Sequence, residues 1–137
     1  MTNETVQVAI IMGSDSDLPV VEASFSILDD FGVKYTKNVM SAHRTPHDVM
    51  ELIKTSEEHG CKVFIAAAGM AAHLAGAVAA HSTKPVIGIP IESGGMGGID
   101  SLLSTAMMPP GVPVATVAVG KSLSLIHISE PTRPIHI

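Results

Sequence analysis

Five short runs with strand character, at 6–12, 33–39, 62–67, 85–91 and 112–120, alternate with four segments of helical character. The first run is rich in β-branched residues and stops at Gly13, as a buried strand does. In 18–31 the apolar residues Val21, Phe25 and Leu28 recur at helical spacing, and Gly32 stands where a helix C-cap belongs. The second helical segment, 45–60, carries Val49, Leu52 and Ile53 and has Pro46 in its first turn, where a missing N–H costs nothing. The small-residue stretch 71–81 and the stretch 99–107 complete the set of predicted helices.

Repeated β-α-β units with short connections imply a parallel sheet, right-handed crossovers and helices on both faces. The predicted class is therefore α/β, a three-layer αβα arrangement; among the orders such a sheet allows, the flavodoxin-like (Rossmann-like) 2-1-3-4-5 is the one expected here. Ligands of such sheets bind beyond the carboxyl ends of the strands, near the switch point. The loops after strands one, two and three would all lie on that edge.

Composition agrees. At 137 residues the chain has about one domain's length. Its hydrophobic fraction of 46% is mostly Ala, Val, Ile, Leu and Met, while aromatics are 3%, which suits closely packed helices on a parallel sheet. So few rings argue against a base-stacking surface, and a net charge of -5 offers no general attraction to nucleic acid or anionic lipid. Residues 1–7 are polar without signal-peptide character, and no apolar run reaches the length of a membrane span. Cys61 is the only cysteine, so no intrachain disulfide can form; this fits a cytoplasmic protein.

Three loops carry chemistry. In Gly13-Ser14-Asp15-Ser16-Asp17, a tight turn, two hydroxyls and the following helix N-terminus suit a phosphate, and Asp17 suits a hydroxyl donor such as a ribose. The same residue types also make an ordinary N-cap. In Ser41-Ala42-His43-Arg44-Thr45-Pro46, Arg44 can hold a phosphate or carboxylate through two hydrogen bonds, and His43 can exchange protons near neutral pH. A plain surface His-Arg pair is the competing account. His47 lies four residues from His43, but Pro46 intervenes and no Cys or HExxH pattern supports a metal site. In 66–76, Ala68, Gly69, His73 and Leu74 follow strand three; small side chains let a ligand approach the backbone, although close helix–sheet packing selects them equally well. Ser93 to Gly98 form a glycine-rich loop flexible enough for a lid, a subunit contact or a simple connection, and Cys61 reads as structural.

Together these segments resemble the N5-carboxyaminoimidazole ribonucleotide mutase family, class I. The resemblance also covers Pro85-Val86-Ile87-Gly88-Ile89-Pro90, Gly98-Ile99-Asp100-Ser101-Leu102-Leu103-Ser104 and Met108-Pro109, and runs in order from Val6 to Lys121. It implies an enzyme of purine biosynthesis that moves a carboxylate from the exocyclic nitrogen to carbon 4 of an imidazole, with neither metal nor cofactor. It makes His43 the catalytic residue and Ser14, Asp17 and Arg44 substrate-binding, with Ser16 beside them. Ser41, Ala68, Gly69, His73 and Leu74 match the neighbourhood of the carboxylate pocket. Members are homo-octamers acting on a small ribonucleotide. A class II carboxylase using free carbon dioxide and a non-catalytic nucleotide-binding module are the alternatives.

Two departures stand out. Met70 occupies a position where the commoner family pattern has glycine, which narrows the expected pocket. The family continues into an Ala-rich C-terminal helix, whereas 122–137 resembles translated sequencing-adapter read-through. The domain is therefore expected at 1–121, with 122–137 a foreign-looking tail and the octamer compromised by the missing helix.

Overall fold

β1 (Val8–Met12) is buried at every position, as a strand covered on both faces must be. A computed structural model describes residues 5–120 of the chain. β1 leads through a single 3-10 turn, Asp15–Asp17, into α1 (Leu18–Asp30). β2 (Tyr35–Val39), α2 (Pro46–Glu58), β3 (Val63–Gly69), α3 (Leu74–Ala80), β4 (Val86–Ile91), α4 (Ile99–Ala106) and β5 (Ala115–Thr116) follow. The five strands form one sheet in the order β2-β1-β3-β4-β5, and every pairing is parallel, as the alternation predicts.

Alternation along β1 divides the core in two. Val8, Ile10 and Met12 face Val21, Phe25 and Leu28 of α1. Ala9 and Ile11 face the other way, with Val49 and Ile53 of α2 and with Leu74, Ala75 and Val78 of α3. Phe64 and the Cys61 thiol are buried in this second cluster, so Cys61 is a packing residue as expected. Burial pushes the thiol's pKa up and keeps it protonated. Three layers result.

β3 runs on to Gly69, so Ala68 and Gly69 end the strand rather than follow it, and two elements differ more from the sequence pattern. α3 starts at Leu74 rather than at residue 71: Met70 is left-handed (φ 55) and His73 N turns back to Ala71 O (3.0 Å), so the chain enters the helix only at the His73 N-cap. β5 shrinks to two residues of the expected 112–120. Pro113 and Pro90 carry no N–H, which interrupts the ladder, although Val117 N still reaches Gly88 O (3.1 Å) and Gly120 N reaches Pro90 O (2.8 Å). The expected tail at 122–137 and the boundary at 121 lie outside the described residues. No helix among the described residues is long and apolar enough to cross a membrane.

Candidate active site

Parallel strands bring their carboxyl ends to one edge, and a cavity of about 460 Å³ opens there. Its wall gathers the loops after β1, β2, β3 and β4. All ten residues singled out from the sequence line it: Ser14, Ser16 and Asp17; Ser41, His43 and Arg44; Ala68, Gly69, His73 and Leu74.

The β1 loop makes the N-cap that its sequence allows and lies on the cavity wall. Ser14 caps the 3-10 turn, its Oγ accepting from Ser16 N (3.3 Å), while Ser14 N donates to Asp17 Oδ2 (3.2 Å). This reciprocal capping box fixes the loop, and Ser14, Ser16 and Asp17 still face the cavity. Asp17 is 5% exposed, and burial raises its carboxyl pKa; the Ser14 N–H opposes the shift and the Asp15 charge adds to it. A carboxyl whose pKa rises on folding binds its proton better in the native state. Stability therefore falls as pH climbs from the ordinary carboxylate range through the raised value, and the penalty is complete above it. Asp17→Asn keeps an oxygen acceptor for Ser14 N and removes that penalty. The variant is expected to melt above wild type at pH 7, with the gap closing toward pH 4. A wild-type protein at least as stable as the variant at pH 7 would refute this account.

The β2 loop is a clasp. Thr45 Oγ1 accepts from Ser41 N (3.0 Å), and Ser41 Oγ accepts from both His43 N (3.2 Å) and Arg44 N (3.1 Å). The clasp leaves the His43 and Arg44 side chains exposed at the cavity wall. Ser41 Oγ thus serves backbone donors first, with its own proton still available to a ligand.

At the end of β3 the wall is backbone and small side chains. A β-carbon on Gly69 would fall on Ser93 Oγ and lie 3.1 Å from the Ile91 carbonyl oxygen, so only glycine fits. Met70 follows with φ 55, the one non-glycine positive φ among the described residues. The backbone there favours glycine, so the departure to Met70 is held with strain. The Met70 side chain is exposed, lining the cavity and approaching the Gly94 loop.

One pairing is invisible in the sequence. His43 Nε2 lies 2.9 Å from His73 Nδ1, with the rings edge-to-face at 86°. A hydrogen bond between two ring nitrogens needs one protonated and one bare, so the tautomer of each ring is tied to that of the other. His73 thus meets His43 rather than standing alone in the wall. Ser93, read only as the start of a loop, also lines the cavity; its place just after the fourth strand was the available signal. Among the described residues, no group of three or more His, Cys, Asp or Glu is arranged to hold a metal ion.

Known proteins share this arrangement of sequence and fold. A family model described as AIR carboxylase matches residues 7–124. The N5-carboxyaminoimidazole ribonucleotide mutase of Pyrococcus abyssi is 56% identical over 113 residues, 82% of this chain and 65% of its own length. The phosphoribosylaminoimidazole carboxylase of Saccharomyces cerevisiae is 52% identical over 115 residues, 84% of this chain and 20% of its own. The crystal structure of Treponema denticola PurE superposes with a TM-score of 0.80 at 31% identity, covering 93% of this chain and 82% of that one. The chain spans 65% to 67% of the length of the two Pyrococcus mutases that it matches.

Proposed function

The chain belongs to the AIR carboxylase family, and from that premise we propose that it is an N5-carboxyaminoimidazole ribonucleotide mutase of purine biosynthesis. The observation that carries this reading is the meeting, in one cavity, of an anion- and hydroxyl-binding side with a paired imidazole. Ser14, Ser16, Asp17 and Arg44 are suited to the ribose and phosphate. His43, His73, Leu74 and the small-residue wall of Ala68 and Gly69 are suited to the imidazole and its carboxylate.

The chemistry balances on one proton. The bond from the exocyclic nitrogen to the carboxyl carbon breaks, releasing carbon dioxide, and His43 gives its proton to the nitrogen. Carbon 4 then attacks the retained carbon dioxide, forming the new carbon–carbon bond. His43 takes the proton from carbon 4, which restores aromaticity and returns the imidazole to its starting state. Holding carbon dioxide against the small-residue wall turns an encounter into an effectively intramolecular step. His73 holds the His43 ring and ties its tautomer.

Arg44 is assigned to the phosphate. Arg44→Ala removes a charge-assisted contact worth roughly 1.5–3 kcal/mol, so ribonucleotide binding is expected to weaken about 10- to 100-fold. Calorimetry with the matching nucleoside, which lacks the phosphate, should show a much smaller change. Equal losses for both ligands would remove Arg44 from the phosphate.

Carboxyl-labelled substrate in unlabelled bicarbonate tests the function itself. Label retained on carbon 4 is the expected result. Label lost to the medium, with product that depends on added bicarbonate, would point instead to a carboxylase like the yeast relative. Binding without product would leave a nucleotide-binding module. Homo-octameric assembly and a cytoplasmic location belong to the same reading. Exposed Ile99, Leu103 and Met107 on or beside α4 support assembly, and the buried unpaired thiol of Cys61 supports a reducing compartment.

A further inference from the structure

The turn that carries His73 is held from a distant helix. Met70 takes a left-handed conformation that a side chain disfavours, and such strain persists only where the surroundings over-determine it. Ala72, two residues on, is 1% exposed, so its N–H has little access to water. That N–H goes to Ser104 Oγ of α4 at 2.8 Å, 32 residues away in the chain. A serine hydroxyl has a single proton to give. Of the carbonyls within reach, Asp100 O at 2.7 Å is the nearest and takes it; Met70 O lies at 3.3 Å. The bond to Asp100, one helical turn back, orients the hydroxyl so that its oxygen faces Ala72. Thr105 Oγ1, next on α4, lies 3.5 Å from Ala72 O and grips the same residue from its other side.

His73 follows directly as the N-cap of α3, its carbonyl accepting from Ala77 N at 2.9 Å. Its backbone is thus pinned between the Ser104 clamp and the first turn of α3, and its ring meets His43 at 2.9 Å. A bond between two ring nitrogens is directional, so a small rotation of the 70–72 turn would break it. We propose that Ser104 is a positioning residue, whose hydroxyl sets the 70–72 turn and thereby holds the His73 ring in register with His43. The proposal takes the mutase activity as its premise for the kinetic readout only.

Ser104→Val and Ser104→Thr put side chains of nearly one shape at the same helical position and differ in the hydroxyl. In the full chain, Ser104→Val is expected to lower kcat at least about 10-fold while ribonucleotide Kd stays within about 2-fold, because Ser14, Asp17 and Arg44 hang from other loops. Ser104→Thr should restore kcat to within about 3-fold of wild type. A second readout needs no substrate: ring-nitrogen NMR of the labelled chain should register loss of the His43–His73 bond in the Val variant and its retention in the Thr variant. Equal turnover by the two variants, or a fall in kcat with unchanged ring-nitrogen signals, would overturn the proposal. If wild type turns over no substrate, the mutase reading fails and the ring-nitrogen comparison alone decides the role of Ser104. If the Val variant does not fold, Ser104→Ala is read in the same two ways.

Discussion

Replacing His43 with Asn is expected to lower turnover at least about 100-fold and to leave ribonucleotide affinity nearly unchanged, as removal of a general acid–base group does. The reason lies in how the loop is built. Ser41 Oγ accepts from the His43 and Arg44 backbone N–H groups, and those bonds do not depend on the side chain at 43. Arg44, Asp17 and Ser14 therefore keep their places on the cavity wall. The Asn amide can still hydrogen-bond, but it cannot give up and recover a proton near neutral pH. Steady-state kinetics and calorimetry on the same preparation separate the two effects. Turnover close to wild type would remove His43 from the chemistry, and a parallel loss of affinity would make it a binding residue.

Gly88→Val is expected to be the most damaging of these substitutions to the fold. Gly88 lies in β4 between Ala66 of β3 and Thr116 of β5. A β-carbon there would run into the Thr105 methyl of α4 and would come within 3.1 Å of Val114 Cγ1 and 3.3 Å of Ala75 Cβ. α4, α3 and the residue before β5 converge on one site, so relief against one means pressing on another. Overpacking of this kind costs about 3 kcal/mol at the upper end of its usual range, which for a domain of this size lowers Tm by roughly 10 °C. Thermal melts of the two proteins side by side check it. A Tm within about 2 °C of wild type would mean that α4 can move off the sheet freely, and the clamp from Ser104 would be weak for the same reason.

Much of this molecule is legible without coordinates. The runs at 6–12, 33–39 and 85–91 contain β1, β2 and β4, the run at 62–67 covers all of β3 but Ala68 and Gly69, and the helical spacing of Val21, Phe25 and Leu28 points their side chains at the sheet. The order 2-1-3-4-5 is one of the few that parallel pairing with right-handed crossovers allows, a restriction set by chain chirality rather than by any particular side chain. Once that order stands, the loops holding Ser14, Asp17, His43, Arg44 and Gly69 must share one edge. Sequence was sufficient here because period, turn residues and handedness are properties of the local chain.

Tertiary structure alone decided the rest. Nothing within ten residues of His73 says that its ring will meet that of His43, 30 positions earlier. The small residues of 71–73 read as helix, yet the helix waits until Leu74, after a turn whose Ala72 N–H bonds a hydroxyl of α4. Gly88 looks like a weak point in a strand until Thr105 is seen above it. Ser104 itself reads as an unremarkable polar position in a helix. In each case the deciding partner is remote in sequence, and a hydrogen bond or a steric contact acts over only a few ångströms. Such effects exist only after the sheet has brought those segments together.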